Sequence, residues 1–134
     1  MRAFHLDSAM TNMLGTFYPT GWMVLMLPGE QQARDAGQLL AAAGFAEEAL
    51  MLLTPADVRV HLLGAKGDEY ILPSAGSEGD TVRKFAELAA QGHHGLMVKA
   101  PKQEDADRVT ALLKDAPISY GQRYRKLVIE DVVS

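Results

Sequence analysis

The chain changes hydrophobic period over a few residues near its first third. Trp22-Met23-Val24-Leu25-Met26-Leu27 is apolar without a break and is closed by Pro28-Gly29, which predicts a strand buried on both faces. From Glu30 the apolar spacing lengthens to three and four residues, at Ala33, Ala36, Leu39, Leu40 and Ala43, and predicts a helix. Gly44 stands where such a helix would end on a left-handed residue. Residues 49–53 predict a second strand. Thr54-Pro55-Ala56-Asp57 then opens a short helix to about Leu63, because Thr54 can cap, Pro55 suits the first turn and Asp57 can return the capping hydrogen bond.

The second half repeats this alternation. A helix starting at Ser77 or Asp80 carries Val82, Phe85, Ala86, Leu88 and Ala89 on one face and ends at Gly92. Leu96-Met97-Val98 predicts a third strand, and Pro101 opens a helix with Ala106, Val109, Leu112 and Leu113 apolar. Residues 118–133 predict a final strand interrupted by a bulge or turn at Gly121, with Leu127, Ile129 and Val132 on its buried side. Residues 1–20 show no sustained period and are expected to be an N-terminal arm. A single domain over 21–134 follows, with a glycine-rich insert at about 64–79 that is expected to be mobile.

Sliding the chain so that Pro28 meets Pro101 also brings Ala33 onto Ala106, Leu39 onto Leu112 and Leu40 onto Leu113. These positions are the helix entry and the helix's apolar face, where a shared structure would constrain them. Two βαβ halves related in this way predict an α+β, ferredoxin-like fold. Its four-stranded antiparallel sheet would be covered on one side by two helices, with additional helices inserted between the halves.

The order Pro28-Gly29-Glu30-Gln31-Gln32-Ala33, then Leu39-Leu40-Ala41-Ala42-Ala43-Gly44-Phe45, then a strand, resembles the bacterial general stress protein family. Gly95-Leu96-Met97-Val98-Lys99, with its acidic helix and terminal strand, is similar to the second half of those proteins. The resemblance covers roughly residues 22–133. It implies a ferredoxin-like or related α+β domain and a role in stress, and it supplies no catalytic residues.

Composition narrows the chemistry. With 134 residues, 48% hydrophobic, the chain can fill one core. The absence of cysteine removes disulfides, thiolate metal sites and cysteine nucleophiles. Thirteen basic residues against 17 acidic ones give a net charge of −4, unlike the basic field of a nucleic-acid binder. No signal-peptide core is present at the N-terminus. The longest apolar run, residues 22–27, is too short to span a bilayer, so the expectation is a cytoplasmic protein without membrane contact.

Four groups of residues could carry chemistry. His93 and His94 are candidate metal ligands, with Asp80 or Glu87 as an acidic partner, although neighbours at a strand entrance point to opposite faces. A solvated turn that caps the preceding helix is the commoner role for such a pair. His5, Met10 and Met13 form a thioether grouping that could suit copper, while the remaining methionines fall in strands as core fillers. Lys99, Tyr120, Arg123, Tyr124, Arg125 and Lys126, with Lys102 near by, concentrate basic and aromatic groups that could stack and hold single-stranded RNA. A charged edge strand that discourages aggregation accounts for the same residues. The loops Gly64-Ala65-Lys66-Gly67 and Gly76-Ser77-Glu78-Gly79 could contact a phosphate.

No nucleophile elbow, Walker loop or dinucleotide fingerprint is present, so no catalytic residue and no cofactor are assigned. The sequence therefore predicts a non-catalytic binding or regulatory module, stress-related by its resemblance. A homodimer is expected through the open sheet face or the N-terminal arm, because an apolar face with helices on one side only must be covered. An RNA-binding stress factor and a metal-dependent enzyme at His93 and His94 are the alternatives.

Overall fold

The computed structural model describes residues 1–6, 10, 17, 19–62, 77–125 and 128–133. In chain order these form β1 (Arg2–Ala3), β2 (Trp22–Leu27), α1 (Glu30–Ala42), β3 (Leu50–Leu53) and α2 (Pro55–Asp57), which continues as a π-helical turn over Val58–Leu62. They continue as α3 (Ser77–Ala90), β4 (His94–Lys99), α4 (Gln103–Leu112), β5 (Tyr120–Arg125) and β6 (Val128–Val133). The class is α+β. Residues 63–76, which hold Leu63 at the expected helix end and most of the expected insert, lie outside the described residues, as do Met13, Lys126 and Leu127. Among the described residues no helix is long and apolar enough to cross a membrane.

Local chemistry sets the helix ends. Gly44 at φ 105° and Gly92 at φ 88° both close a helix in the left-handed region that glycine adopts without a Cβ penalty. In each case the following amide reaches back to the last turn, Phe45 N–H to Leu40 O at 3.1 Å and His93 N–H to Leu88 O at 3.0 Å. The start of α2 is a reciprocal cap. Thr54 Oγ1 accepts from Asp57 N–H at 3.1 Å, and the Asp57 carboxylate accepts from Thr54 N–H at 3.0 Å.

The sheet has six strands in the order β1-β3-β4-β2-β5-β6, where four were expected. β1 runs parallel to β3, and every other neighbouring pair is antiparallel, which makes the sheet mixed. The first extra strand comes from the N-terminal arm. Arg2 and Ala3 pair with Met51 and Leu52, Phe4 N–H reaches Leu52 O at 3.0 Å, and Phe4 packs edge-on to Phe17. The second comes from the C-terminus. β5 and β6 are two antiparallel strands rather than one interrupted strand, since Tyr124 pairs with Ile129 and Arg125 with Val128. The register irregularity does fall between Gly121 and Gln122.

Helices cover both faces of the sheet, not one. Alternation along β2 sends Met23, Leu25 and Leu27 to one side, where Ala33, Ala36 and Leu40 of α1 and Ala106, Val109 and Leu113 near α4 pack on them. Trp22, Val24 and Met26 go to the other side, against Val58 and Leu62 of the π-helical turn and Phe85, Leu88 and Ala89 of α3. Every residue of β2 and β3 is buried, as a strand in the middle layer requires. Leu39 departs from its expected core position. It is 52% exposed, because the α1 stripe that meets the sheet passes through Ala33, Ala36 and Leu40. Arg108 bridges the two helices of the first face, donating to the Ala43 carbonyl and lying over the Phe45 ring at 4.9 Å.

Candidate functional site

Among the described side chains, the aromatic members of the candidate basic and aromatic group do not lie on a surface. Tyr120 and Tyr124 are buried at 9% and 4% exposure, on the face covered by α3. Tyr120 stacks edge-on with Phe85 at 5.4 Å, and the Lys84 ammonium lies 5.9 Å above its ring. Stacking on bases needs open ring faces, and these rings are spent on the core. Arg123 points the opposite way, as alternation on a strand requires, and is 4% exposed. Its guanidinium donates to Gln103 Oε1 at 2.8 Å and lies 3.5 Å from the Pro101 carbonyl, which anchors β5 to the start of α4 beside Lys102. Lys99 is exposed at the end of β4, paired with Trp22, so β2 separates it from β5. Arg125 is the last residue of β5.

The histidines part company for the same reason. His93 Nδ1 lies 2.8 Å from the Ser119 hydroxyl, and burial holds its imidazole below the ordinary histidine range. His94 Nδ1 sits 3.3 Å from the Gly92 carbonyl. Arg34 holds the Glu30 carboxylate below its usual range through a 2.8 Å charge-assisted bond, with His94 a lesser influence. Glu87 is exposed on α3, and Asp80 lies in the first turns of that helix. No group of three histidine or carboxylate ligands comes together among the described residues. His5 is exposed while Met10 is buried at 5% in the core, so the expected copper grouping is split between solvent and interior.

A different feature is concave. Between β2 and α4 lies a cavity of 310 Å³, walled by Met23 and Leu25 from the sheet, Val109 and Leu113 from the helix, and Ala116 and Ile118 from the segment that follows. Thr110 and Lys114 complete its lining. The space has a local cause. Leu25 is paired with Gly121, and residues paired across two strands share a face, so the neighbouring strand β5 places no side chain beside Leu25 on this face. After Leu113 the chain leaves the helix and turns through Pro117 to reach β5, and Ala116 is too small to fill the gap.

The two polar lining groups differ in what they can offer. The Thr110 hydroxyl donates to Ala106 O at 2.9 Å, which leaves it acceptor capacity only. Lys114 is exposed just past the helix end. The sequence pattern placed Val109 and Leu113 on the apolar side of α4 but gave no reason to single out Thr110, Lys114 or Ile118. The available signal was a glycine inside a strand opposite a fully apolar one, which marks a place where a side chain is missing from a packed row.

Comparison of the chain with family models, with curated proteins and with solved structures finds no match.

Proposed function

We propose that this chain is a non-catalytic binding or regulatory module that holds a small molecule between its central strand β2 and helix α4. The observation that carries the reading is the 310 Å³ apolar cavity with polar groups at only two of its lining positions. Sites of this kind begin at roughly 300 Å³ and combine hydrophobic walls with a few placed polar groups. The scaffold reads as a ferredoxin-like unit with two added edge strands. β2-α1-β3 and β4-α4-β5 supply its two halves, and the order β3-β4-β2-β5 with every neighbouring pair antiparallel supports that assignment. Self-association of the module would use a sheet edge, since helices occupy both faces. A stress-linked role rests on the sequence resemblance.

Methyl NMR with 8-anilinonaphthalene-1-sulfonate as a general apolar probe tests the reading. The expected result is a saturable shift of the Leu25, Val109, Leu113 and Ile118 methyls, with Val24 and Val58 on the opposite face unmoved. Equal shifts on both faces, or none, would reject it.

A further inference from the structure

The polar groups around the cavity say more than that something small fits. Resting on the binding reading above, we propose that the cavity takes a short- to medium-chain monocarboxylate, its hydrocarbon tail between β2 and α4 and its carboxylate at Lys114. The tail follows from the walls, because six of the eight lining side chains are apolar and offer no hydrogen bond to a sugar, a peptide or a nucleobase. The size follows from the volume. A cavity of 310 Å³ stands at the small end of ligand sites and excludes a dinucleotide or a two-chain lipid.

The head group follows from charge. Lys114 is the one ionisable side chain in the lining, and it has no carboxylate partner among the described residues. Thr110 has committed its proton to Ala106 O, so it cannot share an anion with the lysine. A single cationic side chain therefore borders the site. A phosphate or a dicarboxylate would meet one cation and, behind it, the partly negative carbonyl end of α4, which disfavours a second negative charge. An amine would be repelled by Lys114. A single carboxylate is the head group that satisfies one ammonium and needs no second donor.

Isothermal titration with hexanoate, octanoate and 1-octanol, on the wild-type chain and on Lys114→Met and Ala116→Leu, separates this proposal from the reading beneath it. Lys114 is exposed, so Lys114→Met should fold as the wild type does. Octanoate should bind more tightly than hexanoate by about fourfold per methylene. Lys114→Met should weaken octanoate by about two- to fivefold and leave 1-octanol unchanged, as expected for one solvent-accessible ion pair. Ala116→Leu, which fills the space from its rim, should weaken all three ligands. If octanoate and 1-octanol bind alike and Lys114→Met alters neither, while Ala116→Leu weakens both, the carboxylate assignment is overturned and the binding reading stands. If none of the three binds the wild-type chain, both fail.

Discussion

His93 and Ser119 meet across the end of β2, with the imidazole Nδ1 2.8 Å from the hydroxyl. The contact joins the residue before β4 to the residue before β5, and Ser119 N–H is itself bonded to Met26 O of β2 at 2.7 Å. Because burial lowers the His93 pKa, the folded state disfavours the protonated ring relative to the unfolded chain. As pH falls past the ordinary histidine value near 6.5, the unfolded state takes up the proton first, and stability is lost. Above that value the ring is neutral in both states and the contribution is fully present. Thermal unfolding at pH 7.5 and pH 5.5 should show a lower midpoint at the acid value, and His93→Gln should shrink that difference. An equal pH response in the two proteins would count against the linkage.

Gly95 is predicted to resist even a methyl group. A Cβ at this position would lie 3.2 Å from Leu53 Cβ and 3.3 Å from Leu53 Cδ1, with Met26 Sδ at 3.5 Å. The Met26 thioether can yield, but Leu53 Cβ is fixed to its own strand, paired with Gly95 in the sheet. Gly95→Ala should therefore destabilise the protein by about 1–3 kcal/mol in urea unfolding, as overpacking does.

Phe85 is the anchor of α3 on the second face. It is 1% exposed and packs edge-on against Tyr120 at 5.4 Å. Phe85→Ala should cost about 3–5 kcal/mol by urea unfolding. Hydrogen exchange should speed up along α3 more than along α1 and α4, which pack on the other side of the sheet.

The Thr54 cap offers a milder test. Thr54→Ala removes the acceptor for Asp57 N–H and should cost about 1 kcal/mol. Thr54→Ser keeps the hydroxyl and should restore most of the loss, whereas Thr54→Val should behave as the alanine variant does.

What the sequence determined by itself is local. The periods of residues 22–43 and 77–92, the Thr54–Asp57 cap and the glycines at 44 and 92 each act within one or two turns, so their consequences can be read without a partner. The unbroken apolar run of β2 also stated that this strand lies between two layers, and the structure agrees with that rather than with helices on one side only. Tertiary structure decided what depends on distant residues meeting. Arg2 and Ala3 became a strand only because β3 offered an edge, and Tyr120 and Tyr124 went inward only because α3 lies over them. Chemically the tyrosines could have served a surface as well as a core. The cavity is the extreme case: it exists because a glycine in β5 faces a leucine in β2 while the chain leaving α4 carries an alanine there, a shortage of atoms that belongs to no single segment.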